Sequence, residues 1–492
     1  MLRNEQLKVI RQCHQIISAE LKYLQQTFKF SKKMKNIDLY KAFYRSVGYP
    51  LFLRMIKRPT ISMLEARLKS QFFTREKIQE IQLCKLKKVL VNAAENVPYY
   101  RDTFHEIGFI PSDMKSLLEF EKLDFFITKD FIRENTDAFI SEKSDRSKLS
   151  WHRTGGSTGE PLLFATDRLT DAASSSSFLR AINWFDVGLG AKSCFFWGSP
   201  TYIRQAEKSW KEQFHQLALK IKEKLVRRIV FLNYNIGESN YVEIFKKIEQ
   251  FRPEYIKGMP SSLYQFSKLI LKNDLKFKSA QFKFVHSSCE QLYDWQTEVI
   301  EKAFDCQVTN SYGLSELGDV AYSAPCGNLY LMDEDVYVEL RSIDGGENEI
   351  IATQLNNMAT PLIKYKTDDI ATSIGYCSDS DINLRVLHGL KGRVHDFIVA
   401  SDGSYVHGQF FTHLLVFEPG VDKFQVVQHS PFKLIILLIV NDDFDKLASE
   451  TRLRFSVADY LGKEVNISFE YVKDIPLTPS GKHRWIISKI KN

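Results

Sequence analysis

Cysteine is sparse and follows no framework. The seven residues, Cys13, Cys84, Cys194, Cys289, Cys306, Cys326 and Cys377, are scattered, odd in number and nowhere spaced as C-x-x-C. That pattern argues against a disulfide scaffold and against a thiolate metal site. A reducing, cytoplasmic setting is the resulting expectation. Long apolar runs are also missing. The longest aliphatic stretch, 434–440, holds seven residues, against the roughly 20 that cross a bilayer. Met1-Leu2-Arg3-Asn4-Glu5 lacks the apolar centre of a signal peptide. No transmembrane segment is expected. Net charge is only +7 on 57.1 kDa, and no Lys/Arg stripe or aromatic platform suggests a nucleic-acid partner. Neither a G-x-x-x-x-G-K-[ST] P-loop nor a dinucleotide G-x-G-x-x-G occurs.

What is present points to a folded chain of more than one domain. With 492 residues, 44% of them hydrophobic and 13% aromatic, it can fill several cores. Residues 1–95 have little Gly or Pro. Ile61, Leu64, Leu68 and Phe72 recur at helical spacing there, which suggests a helical cap or an oligomerisation layer compatible with a homodimer. Asn96-Val97-Pro98-Tyr99-Tyr100 interrupts that layer. From 151 onward short apolar runs alternate with helical segments, the signature of α/β packing. Strands are expected at 193–197, 255–257, 282–286 and 307–310, and helices at 171–186, 206–232, 240–250, 261–272 and 293–304. The helix at 206–232 would carry seven basic residues against three acidic ones. A membrane or anionic partner competes there with an ordinary solvated face, which is favoured. A β-rich stretch follows at 329–332, 336–342 and 349–354, with Asp344-Gly345-Gly346 as a hairpin turn. The last hundred residues form a separate α+β pattern: strands at 424–428, 433–440 and 465–472 and a helix at 444–460. The expected division is 1–95, 96–392 and 393–492, with a hinge at 391–396.

Two loops carry most of the chemistry. In Arg153-Thr154-Gly155-Gly156-Ser157-Thr158-Gly159-Glu160-Pro161 the glycines let backbone amides approach a polyphosphate, and Thr154, Ser157 and Thr158 add hydroxyl donors. In Pro476-Leu477-Thr478-Pro479-Ser480-Gly481-Lys482-His483-Arg484 a Pro/Gly-shaped loop projects Lys482 as a point charge. Taken alone, either one is more often an ordinary polar turn. The Ser174–Ser177 run, four serines opening a helix, needs no functional account. Phe195-Phe196-Trp197 and the residues after it either line a pocket or pack into core.

The order of these loops, with the motifs between them, resembles the adenylate-forming (acyl-CoA synthetase) superfamily. Within it the chain is similar to the phenylacetate–CoA ligase-like branch, which includes proteins associated with capsular polysaccharide biosynthesis. The likeness runs from about Val97 to the C-terminus. It implies a large multi-sheet α/β N-terminal domain and a small mobile α+β C-terminal domain. It implies that Thr154, Gly155, Gly156, Ser157, Thr158 and Gly159 hold the ATP phosphates. Ser288-Cys289-Glu290 then lines the adenine, with Cys289 where glycine or alanine is usual. Asn310-Ser311-Tyr312-Gly313-Leu314-Ser315-Glu316 resembles the family's Y-G-x-x-E. By that match Tyr312 and Gly313 belong to the adenine site and Glu316 holds Mg²⁺. Tyr365-Lys366-Thr367-Asp368-Asp369 is similar to Y-R-T-x-D, so Asp369 would bind the ribose. Gly392-Arg393-Val394-His395-Asp396 resembles the G-R-x-D-D hinge, where Arg393 contacts ribose or α-phosphate and His395 replaces an acid. Lys482 falls on the catalytic lysine.

The implied function is an AMP-forming ligase that joins a carboxylic acid to AMP and passes the acyl group to a thiol such as CoA. An amine or hydroxyl acceptor in polysaccharide biosynthesis, or a non-catalytic nucleotide-binding scaffold, are the rivals. ATP and Mg²⁺ are the expected cofactors. Zinc is not expected, because Gly375-Tyr376-Cys377 lacks a cysteine pair and Tyr330 stands where relatives carry histidine. Other histidines, among them His286, His407 and His413, have no metal or relay spacing and are expected to be structural.

Overall fold

The structure is a computed structural model that describes residues 38–153, 162–197, 223–232, 236, 240–343, 347–393, 397–399, 405–407, 411, 414–415, 418–462, 464–476 and 483–490. Its helices include α1 (Thr60–Ser70), α2 (Arg75–Asn96), α3 (Pro98–Glu106), α4 (Arg168–Asn183), α5 (Tyr241–Phe251), α6 (Pro260–Lys272), α7 (Asp294–Phe304) and α8 (Lys446–Leu461). The strands begin with β1 (Ser150–Arg153), β2 (Leu163–Thr166), β3 (Ser193–Phe196), β4 (Arg228–Phe231), β5 (Tyr255–Gly258), β6 (Phe284–Ser287), β7 (Val308–Leu314), β8 (Gly318–Ser323) and β9 (Leu329–Leu331). They continue with β10 (Val336–Ser342), β11 (Asn348–Gln354), β12 (Tyr365–Ala371), β13 (Ser373–Gly375), β14 (Val386–His388) and β15 (Gly392–Arg393). After β16 (Phe397–Val399) and β17 (Tyr405–His407) come β18 (Val421–Ser430), β19 (Lys433–Val440), β20 (Asn466–Tyr471) and β21 (Ile486–Ser488).

Five strands, in the order β4-β3-β5-β6-β7, run parallel, and β8, β9, β14 and β13 extend the same sheet antiparallel. Parallel neighbours need crossovers, which α5, α6 and α7 supply. Helices on its faces explain why these strands are short apolar runs, with all four residues of β6 buried. A second sheet, β10-β11-β12-β15, is antiparallel. On α2, Leu86, Val89, Leu90 and Ala93 form one fully buried stripe in the core that also holds residues of this sheet. The last sheet, β20-β19-β18-β21, shares with α8 a core drawn entirely from residues 398–486. Leu434, Ile436 and Leu438 alternate inward along β19, as the period of a strand requires. The fold is thus α/β with several sheets and a small α+β C-terminal unit. Among the described residues no helix is long and apolar enough to cross a membrane.

Three sequence expectations need correction. The helix expected to reach 232 stops earlier: Arg228-Ile229-Val230-Phe231 is strand β4, pairing with β3 from Ser193↔Arg228 onward. The β-branched pair Ile229-Val230 was the available signal. Residues 206–222 of that expectation lie outside the described residues. On α1 the buried positions are Thr60, Arg67 and Ser70, not Ile61, Leu64 and Leu68, and Phe72 lies beyond the helix end and exposed. The helix docks through polar chemistry, with Arg67 on Asp335 and Ser70 on Glu334. The serine run does not open a helix either. It sits inside α4, where Ser174 donates to Asp319 and Ser177 to Asp335. The residues 344–346 of the expected hairpin turn lie outside the described residues; the strands on either side pair antiparallel at Ser342↔Asn348.

Candidate nucleotide site

β7 and β12 belong to different sheets, yet two tyrosines tie them together. The Tyr312 hydroxyl donates to Asp369 Oδ2 at 2.9 Å, and the Tyr365 hydroxyl donates to Glu316 Oε1 at 2.7 Å. Each link joins residues from the two motifs singled out in the sequence, and all four side chains are buried. Local irregularities aim them. Between Glu349↔Ile370 and Ile351↔Lys366, β12 bulges, with 367–369 facing the single residue Ile350. Thr367 stabilises the bulge by donating to the Ile350 carbonyl and accepting from the Asp369 amide. β8 approaches Gly313 so closely that a Cβ there would meet the Gly318 carbonyl oxygen at 2.6 Å. Glycine is therefore required by strand packing at the bulge between β7 and β8.

Glu316 sits at the β7–β8 turn, and its carbonyl accepts from Gln354 Nε2 at 2.9 Å. Tyr365 fixes one carboxylate oxygen, and among the described residues no cation pairs with Glu316. A carboxylate held by a neutral donor in this way suits a hard divalent ion. Asp369 stands opposite Arg393 in the β12–β15 register, so the two expected ribose contacts share one rung.

The expected adenine segment adjoins them. Ser311 Oγ donates to Ser288 Oγ at 3.0 Å and lies 3.2 Å from His286 Nε2, while His286 Nδ1 lies 2.9 Å from Thr309 Oγ1. Burial first, and the Lys257 ammonium second, hold the His286 pKa well below its usual value, so its ring is neutral. Cys289 adopts φ +75°, the left-handed region that favours glycine. The backbone geometry thus accounts for glycine as the residue expected at this position.

Glu290 does something the sequence did not suggest. Its Oε2 accepts the Ser261 amide at 3.0 Å, at the N-terminus of α6, and its Oε1 accepts the His483 amide at 3.1 Å. One carboxylate thereby joins the large sheet to the C-terminal unit. Trp485 packs edge-on to Trp295 at 5.9 Å beside it. Burial, then Lys423, depresses His483 to about 3, and its Nε2 bonds the Phe424 carbonyl.

Thr154, Gly155, Gly156, Ser157, Thr158, Gly159, His395 and Lys482 lie outside the described residues. The antiparallel pair β1–β2, from Ser150↔Thr166 to Arg153↔Leu163, brackets the first of these segments. His483, next in sequence to Lys482, is the residue held by Glu290.

The CapK C-terminal domain family matches residues 398–489. Protein CapK of Staphylococcus aureus is 28% identical, over 74% of this chain and 79% of that protein. A phenylacetate-coenzyme A ligase of Aromatoleum evansii is 21% identical, over 70% of this chain and 76% of that enzyme. The crystal structure of 2-hydroxyisobutyryl-CoA ligase in the postadenylation state superimposes with a TM-score of 0.65 at 17% identity, covering 85% of this chain and 91% of that one.

Proposed function

Because the chain belongs to the phenylacetate–CoA ligase-like, CapK-related branch of the adenylate-forming superfamily, we propose that it activates a carboxylic acid with Mg·ATP and transfers the acyl group to a thiol such as CoA. The observation that carries this proposal is the pair of tyrosine–carboxylate links, which brings the expected magnesium, adenine and ribose residues to one place. A carboxylate oxygen of the acid would attack the α-phosphorus while the bond to pyrophosphate breaks, giving acyl-AMP. The acceptor thiol would then lose its proton, attack the acyl carbonyl and release AMP.

Both reactants of the first step are anions, so catalysis rests on positioning and on positive charge at the crowded centre. Glu316 would hold Mg²⁺, which neutralises phosphate charge. Asp369 would accept from the ribose hydroxyls, a task suited to a two-oxygen acceptor. Tyr312, fixed at its hydroxyl, would present its ring to the adenine. Lys482 would bring the cation, one peptide unit from the amide that Glu290 binds.

ATP–pyrophosphate exchange across a panel of acids tests the proposal. Exchange that depends on the acid is expected; nucleotide binding without exchange for any acid would make the chain a scaffold. The family match over 398–489 and the capsule-associated resemblance favour a second acceptor class, an amine or hydroxyl of a polysaccharide precursor. AMP release stimulated by an amino sugar and not by CoA would select it.

A further inference from the structure

A polar slot lies directly behind the adenine segment. In the parallel register Lys257 on β5 stands opposite Phe195 on β3 and His286 on β6, so these side chains leave one face of the sheet. α4 covers that face through Phe178, whose ring centroid is 4.5 Å from Lys257 Nζ and 6.1 Å from the His286 ring. The Trp197 ring lies 5.5 Å from the same ammonium. The neighbouring Gly258 carbonyl accepts the Ser288 amide at 3.1 Å, which puts Lys257 one residue from the nucleotide wall. An acid poised to attack the α-phosphate must occupy space next to that wall.

The polar groups of this slot are unmatched. Lys257 makes no hydrogen bond and no ion pair among the described residues, although Asp319 and the Cys289 thiol are close enough to act on its charge. Burial prevails over both and lowers its pKa. Asp319 is held from α4 by Ser174 but forms no ion pair among the described residues. His286 cannot serve as a partner, since Thr309 and Ser311 occupy both its ring nitrogens. A cation and an anion thus lie close to each other beside two aromatic rings without forming an ion pair among the described residues. Leaving them so around a hydrocarbon ligand would forfeit their solvation.

A hydroxyl both donates and accepts, so it can bridge a cation and a carboxylate that do not pair directly. We infer that the slot selects a hydroxylated carboxylic acid, with Phe178 and Trp197 covering its carbon skeleton while Lys257 donates to, and Asp319 accepts from, its hydroxyls. The inference rests on the proposed ligase activity for where the acid's carboxylate end lies. It adds the chemistry of the rest of the molecule.

Binding of chain-matched acids to the full chain tests it without requiring turnover. The pairs are gluconate with hexanoate and glycerate with propionate, with adipate as a second-carboxylate probe, measured calorimetrically. Sites built to bond a hydroxyl reject analogues lacking it by large factors, so a preference of about a hundredfold or more for the hydroxylated member of at least one pair is expected. Lys257→Met should erase at least about tenfold of that preference, and Asp319→Asn, which keeps the side chain's shape, a few-fold. The slot is refuted if hydrocarbon acids bind as well, if adipate binds best, if none of these acids binds, or if both variants keep the full preference. Exchange assays on the same samples separate the two levels. A hydroxyl preference in binding with no exchange would sink the ligase activity alone. Exchange that favours hexanoate would sink the slot alone.

Discussion

Two buried pairs of carboxylates in this molecule are held by different means. Glu334 and Asp335 are closed: Arg180 bonds Glu334 at 2.8 and 3.1 Å, and Arg67 and Ser177 bond Asp335. Burial pushes both carboxyls up, but the guanidiniums beside them prevail and hold them below the usual range. Glu316 is instead positioned by the Tyr365 hydroxyl, a donor that brings no charge, and Asp369 is tied to the same place by the Tyr312 hydroxyl. A guanidinium completes a carboxylate and makes it part of the scaffold. A phenol orients a carboxylate and leaves its charge for something else. The first pair fastens α1 and α4 together, and the second lies where nucleotide chemistry is proposed.

Mutations can sharpen that contrast. The largest effect belongs to the closed pair. Arg180→Met strands Glu334 in the interior and should cost about 3–5 kcal/mol of stability, read from a denaturant midpoint. Nucleotide affinity per folded molecule should be unchanged. Acidification comes next. His483 is buried neutral with its pKa near 3, so the folded state binds fewer protons than the unfolded chain once pH drops below about 6.5. Its contribution is complete above that value and is lost as pH falls toward 3. The cost reaches up to a few kcal/mol, and His483→Asn should flatten that part of the stability–pH profile. Lys482→Ala should slow adenylation by roughly a hundredfold, about 2.7 kcal/mol, while transfer from preformed acyl-AMP survives far better. Single-turnover assays of the two half-reactions separate these. The smallest change is Tyr365→Phe, which frees Glu316 and should cost about 1 kcal/mol in stability with a few-fold loss in Mg·ATP affinity.

Much of this site was legible because its signals are local. Tyr312-Gly313 and Thr367-Asp368-Asp369 are short strings whose types and order carry the resemblance, and the structure brings them together. Alternation along β19 and the stripe on α2 likewise encode burial within one element. What stayed hidden depends on partners far away in sequence. Arg67 looks like a solvated helix residue until Asp335, 268 positions later, is beside it. Glu290, expected beside the adenine, carries no local sign that its carboxylate also accepts the His483 amide, 193 positions on. β4 was absorbed into a basic helix because pairing with β3, not local propensity, makes it a strand.

Glu316 is the sharpest test of an acid left open to bind a cation. ATP affinity should be measured with Mg²⁺ and with excess chelator, for the native chain and for Glu316→Gln, whose amide oxygen can still accept from Tyr365. The native chain should bind ATP at least about tenfold more tightly with the ion, and the variant should lose that gain while its unfolding midpoint stays close to native. An equal gain in both proteins would place the magnesium elsewhere and contradict the account.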